Sequence, residues 1–232
     1  MNKGKFIIFE GIDSCGKSTQ IKLLQKKFSK YNIPIMFTRE PSNGPIGRLI
    51  RREYLSGKRK ENGGIINKLC EIDRMDHILN ENNGISKNLK NGINVICDRY
   101  ILSTIAYSLY NRIDLDEKLF SQKVIEIYNR FLDNQGLKPD LILHIKIDPK
   151  VAIDRISKRR GTISIYEDNI SKLQKIDKSY NKSISILLKN QLCSIVTING
   201  EDSKKNVLND IWHHVTSVID VNTEEVLNHE DS

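Results

Sequence analysis

Much of what would place a chain in a special class is missing from these 232 residues. No apolar run approaches the ~18 residues that a helical membrane span requires. The stretch from Met1 to Phe9 is too short for a secretory leader and is followed at once by Glu10 and Asp13. A soluble, cytoplasmic chain is therefore expected. The four cysteines, Cys15, Cys70, Cys97 and Cys193, match no metal spacing and no disulfide framework; they read as small buried hydrophobes in a reducing compartment. The five histidines show no ligand spacing either, and each is read as hydrogen-bonded or solvated. Internal repeats, low-complexity linkers and domain boundaries are absent. Residues 222–232 lack an apolar period and read as a loosely held tail, which leaves 1–221 as one domain. A chain of this length can bury ~70% of its unfolded surface around a single core.

The net charge of +8 would by itself point to a polyanionic partner. Basic residues do cluster, at Arg48, Arg51 and Arg52, at Lys58 to Lys60, and at Lys158, Arg159 and Arg160. None of these clusters has interleaved aromatics on which the bases of a strand would stack. Nucleic acid is not the expected partner, and the phosphates of small ligands account for part of the charge.

The strongest positive signal is Gly11-Ile12-Asp13-Ser14-Cys15-Gly16-Lys17-Ser18-Thr19, a complete Walker A pattern. It follows the apolar run Phe6 to Phe9 and precedes residues with helical apolar spacing, so it reads as strand, glycine loop and helix. Gly11 and Gly16 let backbone N–H groups turn in around a phosphate, and the helix N-terminus adds its dipole. Lys17 reaches the β and γ oxygens, and Ser18 offers a hydroxyl to Mg²⁺. The loop is built to hold a nucleoside triphosphate.

Strands are expected at 5–10, 34–38, 93–97, 141–147 and 194–198. Helices are expected at 17–31, 46–56, 65–82, 100–111, 116–133, 149–159, 168–190 and 203–219. This alternation is that of a doubly wound α/β fold with a mostly parallel sheet. Ligands of such sheets bind beyond the carboxyl ends of the strands. Charged residues fall there after the second strand, in Thr38-Arg39-Glu40-Pro41, and after the third, in Asp98-Arg99-Tyr100. Two arginines and two carboxylates thus converge on one phosphate-binding edge. A transfer between two phosphate-bearing ligands needs two basic subsites. Lys17 and the loop amides serve one; Arg99, with Arg39 or Arg51, is placed for the other. Asp98 stands where a carboxylate can hold Mg²⁺ through water.

The layout is that of nucleoside monophosphate kinases, and within them the sequence resembles the thymidylate kinase family over nearly its whole length. The resemblance is carried by Phe9 to Asp13 running into the P-loop, Thr38 to Pro41, Pro45 to Arg51 and Asp73 to His77. It continues through Asp98 to Tyr100 with Ser103, Ala106 and Tyr107, then Pro139 to Leu141, and Tyr166-Glu167. It implies ATP and dTMP as substrates, dTDP and ADP as products, and a homodimer joined through the helices around 65–82 and 100–111. It further implies that Arg74 contacts a thymine carbonyl and Thr104 the ring edge. Tyr107 would crowd the sugar C2′, Asp13 would receive the 3′-hydroxyl or the phosphate network, and Tyr166 would flank the nucleotide.

The basic segment 157–165 has the look of a lid closing over ATP. Some family members carry an arginine directly after the P-loop aspartate; here that residue is Ser14, which leaves Arg159 and Arg160 as the source of the charge. A second departure is Cys70, at the position where the family usually stacks an aromatic on the base. Another side chain stacks, the helix alignment shifts, or base selectivity is looser. The competing readings are a kinase for another deoxynucleoside monophosphate, or a broad one, and a P-loop ATPase stimulated by nucleic acid.

Overall fold

A computed structural model of the chain describes residues 3–31, 33–59, 63–134, 136–158, 164–166 and 169–219. Its centre is a five-stranded, wholly parallel sheet in the order β2-β3-β1-β4-β5. The strands are β1 (Phe6–Glu10), β2 (Ile35–Arg39), β3 (Asn94–Asp98), β4 (Leu141–Lys146) and β5 (Ile195–Asn199). Every residue of β1 is buried, because the strand is paired on both edges and covered on both faces. Strands in that position read as continuous apolar runs rather than as alternation, which is why Phe6-Ile7-Ile8-Phe9 is so plain in the sequence.

Around the sheet lie α1 (Lys17–Lys30), α2 (Pro45–Leu49), α3 (Gly63–Leu79), α4 (Ile85–Lys90), α5 (Ile101–Leu109), α6 (Glu117–Asp133), α7 (Pro149–Ser157), α8 (Ile170–Lys189) and α9 (Lys204–Thr216). Several start on caps that the sequence announces. Asp116 accepts from Leu119 N, Asp148 from Lys150 N with Pro149 in the first turn, Asn169 from Ser171 N, and Ser203 from Asn206 N.

Two local expectations change. The helix expected over 46–56 is α2 followed by a π-helical turn at Ile50–Leu55. The wider turn keeps Ile50 and Tyr54 buried while Arg51 reaches the carbonyls of Pro41 and Ser42. The helix α4 was not anticipated; its only apolar signal is Ile85 and Leu89, four apart and both buried.

Chain order reverses at β1: β2 and β3 lie to one side and β4 and β5 to the other. The crevice beyond the carboxyl end of β1 is the place where such sheets bind ligands. His144 of β4 lies opposite Glu10 in this register. It is buried and stacks on the Tyr180 ring, centroids 5.4 Å apart, while Nδ1 has no hydrogen-bond partner among the described residues. The expectation of a satisfied histidine therefore fails here; the ring is held by stacking instead.

Burial, with smaller contributions from Lys146 and Lys17, depresses the His144 pKa to about 4 from 6.5. The folded value lies below the unfolded one, so this stability is whole above pH 6.5 and is lost as the pH falls toward 4. That interval corresponds to ~3 kcal/mol. A His144→Leu variant is expected to lose correspondingly less stability than wild type between about pH 7.5 and about pH 4.5, measured by denaturant unfolding. Equal losses in the two proteins would show that His144 does not titrate on unfolding.

Candidate active site

The P-loop leaves β1 at Gly11, whose φ of 139° and surroundings both demand glycine. A Cβ there would lie 2.4 Å from the Ile145 carbonyl oxygen and 2.9 Å from Cys15 Sγ. Ser14 and Gly16 also have positive φ, so the loop curls tightly before α1 begins at Lys17. Lys17 is buried and folds back on the loop. Its Nζ donates to Gly11 O and Ile12 O, each at 2.9 Å, and approaches Cys15 Sγ at 3.5 Å.

Arg155, near the end of α7, reaches the same loop. Its Nη1 lies 3.4 Å from both Ser14 O and Cys15 O, and Nη2 donates to Gly200 O at 3.2 Å. The guanidinium so bridges the P-loop and the turn after β5. Sequence reading passed it over. Its contact with the loop joins residues about 140 apart in sequence, so no local spacing announces it.

Where β3 ends, Ser18 Oγ donates to Asp98 Oδ2 at 3.1 Å. Asp98 Oδ1 is buried with no hydrogen-bond partner among the described residues. A hydroxyl and an under-satisfied carboxylate beside the phosphate loop are hard oxygen donors of the kind Mg²⁺ takes when substrate phosphates and water complete its shell. No group of three or more His, Cys, Asp or Glu among the described residues could hold an ion alone. The residues fit a metal shared with a nucleotide.

A cavity of about 1210 Å³ opens on the other side of the loop. Arg99, at the end of β3, has a φ of 74°, a left-handed conformation that costs a non-glycine residue strain. Its Nη2 donates to Asp13 Oδ1 at 2.5 Å, and its Nη1 to Gly11 O at 3.1 Å. Tyr107 OH donates to Asp13 Oδ2 at 3.0 Å. Burial pushes the Asp13 carboxyl up, but the charges of Arg99 and Lys17 and the Tyr107 hydrogen bond outweigh it and hold the group below the usual aspartate range.

Deeper in, Arg74 of α3 is pinned on two sides. It donates to Glu40 Oε2 at 2.7 Å and to Thr104 Oγ1 at 3.0 Å, and lies 5.0 Å above the Tyr100 ring. Burial pulls its pKa down, but Glu40 more than offsets this and holds it above the ordinary arginine value. The neighbouring Asp73 bonds instead to Ser42 N and Oγ, each at 2.6 Å. Glu40 was not singled out by itself in the sequence, because its pairing with Arg74 spans two elements.

At the rim, Arg51 Nη1 donates to Pro41 O and Ser42 O, and Nη2 to Asn43 Oδ1 at 3.3 Å. Much of its donor capacity is thus turned to the loop after β2. Burial and then the charges of Arg39 and Arg48 pull its pKa down, against the opposing charge of Asp73. The Tyr166 ring lies edge-on to Tyr107 at 4.8 Å. Cys70 also lines the cavity, its thiol pushed up to about 12 by burial. Arg159, Arg160 and Glu167 lie outside the described residues.

The family model described as thymidylate kinase matches residues 9–211. The chain belongs to the thymidylate kinase family. Among its relatives, a thymidylate kinase from Caldicellulosiruptor saccharolyticus is 30% identical, covering 94% of this chain and 97% of its own length. A probable thymidylate kinase from Methanocaldococcus jannaschii is 36% identical over 73% and 77% of the two chains. The solved thymidylate kinase from Candida albicans superposes with a TM-score of 0.68 at 28% identity, covering 93% of this chain and 92% of that one. That Candida albicans enzyme has broad substrate specificity.

Lys17 is folded back on the Gly11 and Ile12 carbonyls, and its charge can be removed without removing its stem. A Lys17→Met variant keeps the apolar stem and loses the charge. Turnover is expected to fall on the order of 10²-fold or more, with the thermal unfolding midpoint near that of wild type. Near-normal activity would remove Lys17 from the mechanism.

Proposed function

We propose that this chain transfers the γ-phosphoryl group of ATP to dTMP, giving dTDP and ADP. The observation that carries the reading is the Gly11 carbonyl, which accepts from Lys17 Nζ at 2.9 Å and from Arg99 Nη1 at 3.1 Å. Two cationic groups, one on each side of a single loop, suit two phosphates brought end to end. The acceptor monophosphate is already a dianion near neutral pH, so no general base is needed. One of its oxygens attacks the γ phosphorus as the bond to the β–γ bridging oxygen breaks, and catalysis is positioning and charge neutralisation.

On the donor side the amides of Gly11 to Thr19 and Lys17 hold the triphosphate, with Arg155 flanking the loop. Mg²⁺ would be held by Ser18 and Asp98, and when bound it neutralises charge on the donor phosphates. Arg159 and Arg160 supply further positive charge from the lid segment. On the acceptor side Arg99, Arg39 and Arg51 take the monophosphate. Arg74, pinned by Glu40, presents donors to a base carbonyl, with Thr104 at the ring edge. Asp13 accepts from the 3′-hydroxyl, and Tyr107 and Tyr166 pack against the nucleoside.

No described helix is long and apolar enough to cross a membrane. For the homodimer, α3 carries exposed Ile65, Ile72, Met75 and Leu79 at helical spacing, an apolar face that suits a second copy. The helix α5 turns Ile101, Leu102, Ile105, Ala106 and Leu109 into the core, so of the two helices α3 offers the broader exposed apolar face.

A release assay for ADP with ATP, Mg²⁺ and a panel of dTMP, dUMP, dGMP and dCMP tests the assignment. The highest kcat/KM is expected for dTMP. Turnover of none of the four would overturn the reading, and a higher value for another base would reassign the acceptor.

A broader acceptor range is favoured by one observation: the cavity exceeds the usual ~300–1,000 Å³ of small-molecule pockets, and a thiol, Cys70, stands in its wall. Cys70→Phe probes this. If Cys70 faces the base, the ring is expected to tighten dTMP by up to ~1–3 kcal/mol, read by titration calorimetry. If another side chain fills that place, the same change overpacks the wall and weakens dTMP by a similar ~1–3 kcal/mol. Unchanged affinity and stability would show that Cys70 does not touch the nucleotide.

A further inference from the structure

One buried polar cluster has no part in the transfer as described. Behind Arg99, the fully buried carboxylate of Glu10 is saturated with donors. Its Oε1 accepts the backbone N–H groups of Tyr100 at 2.8 Å and Ser103 at 3.0 Å, at the start of α5. Its Oε2 accepts from Ser103 Oγ at 2.6 Å and Tyr180 OH at 3.1 Å. The two hydroxyls are 2.8 Å apart. Both then accept from Arg99 Nη1, at 3.1 Å and 3.2 Å.

Tyr180 belongs to α8, far from the P-loop in sequence, yet its ring is clamped. His144 stacks on one face, and Tyr107 meets it edge-to-face at 6.2 Å. A ring packed against two neighbouring rings delivers its hydroxyl to one point. Arg99 has a long side chain whose ordering in a single rotamer costs conformational entropy, and it springs from strained backbone. The inward bonds occupy Nη1, and Asp13 takes one hydrogen of Nη2. The remaining N–H groups, on Nε and Nη2, bond to no described residue, while Arg99 lines the acceptor cavity.

We propose that Tyr180, backed by Glu10 and Ser103, is the positioning residue that fixes which edge of the Arg99 guanidinium is presented to the acceptor phosphate. The inference rests on the reading of Arg99 as a ligand of that phosphate. It assigns a role in acceptor binding to a helix that contributes no residue to the P-loop. Tyr180 makes no hydrogen bond to Lys17, Ser18 or Asp98, so the donor site does not depend on its hydroxyl.

The test compares wild type, Tyr180→Phe, Arg99→Ala and the double variant in steady-state kinetics with ATP and dTMP. Removing the hydroxyl alone is expected to raise the dTMP KM roughly fivefold or more, the scale of a lost hydrogen bond to a charged group. The ATP KM should stay within about twofold. On the Arg99→Ala background the same change should alter the dTMP KM by less than about twofold, because residues acting through one another are not additive. Should Tyr180→Phe fold poorly, Ser103→Ala removes the other inner hydroxyl and is read the same way.

An unchanged dTMP KM in both single hydroxyl variants overturns the proposal. So does a parallel rise in both KM values, or a full further loss on the Arg99→Ala background. If wild type turns over dTMP but Arg99→Ala leaves its KM unaltered, the Arg99 reading itself is wrong and the proposal falls with it. Failure of wild type to use dTMP would instead reject the assigned reaction.

Discussion

The site turns on a single backbone oxygen. Gly11 follows the central strand directly, and its carbonyl accepts from both an ammonium and a guanidinium. Two cations of like charge stand this close only where a shared acceptor and a neighbouring carboxylate, here Asp13, offset their repulsion. The residue that supplies the oxygen cannot bear a side chain, since the adjacent strand's Ile145 carbonyl occupies the place of a Cβ. Sheet packing, loop curl and the meeting of two phosphate subsites are therefore one constraint expressed at three scales. Shifting β4 against β1 would alter all of them together.

The cavity beyond that oxygen is furnished with charges that are mostly paired before any ligand arrives. Arg74 and Glu40 form a nearly dry ion pair, side chains 7% and 6% exposed. Such pairs add little net stability against an apolar alternative, yet removal of one partner costs ~3–5 kcal/mol. Their value here is orientation. Glu40, Thr104 and the Tyr100 ring leave Arg74 little freedom, so its guanidinium is held in one place at the cavity wall. The buried Glu10 applies the same economy of motion to the start of α5.

What could be read from the sequence follows from locality. The P-loop was legible because glycine, lysine and serine stand within one turn of chain and their spacing encodes the chemistry. The strands β1 and β4 were plainest because burial on both faces writes a continuous apolar run. Arg39, Arg74, Arg99 and Tyr107 could be placed at one sheet edge by their position after strands and by family pattern. What could not be read depends on pairs remote in sequence: Glu40 with Arg74, Tyr180 with Glu10, Arg155 with the P-loop. The π-helical turn at Ile50–Leu55 was hidden for a related reason, since its apolar spacing passes for that of an ordinary helix. His144 misled because composition cannot tell a hydrogen-bonded ring from one held by stacking.

At the wall lined by Arg39, Arg48 and Arg51, burial and then the charges of Arg39 and Arg48 pull the Arg51 pKa down, with Asp73 offsetting them in part. A dianion entering there would act as a structural counter-ion. Without it, the surrounding loop and π-helical turn are held against mutual repulsion, and dissolved salt can stand in for the missing charge. With it, the repulsion is cancelled from within and salt has less left to do. An anion bound there would complete the electrostatics of this half of the fold, and ionic strength would then act more strongly on the empty protein than on the loaded one.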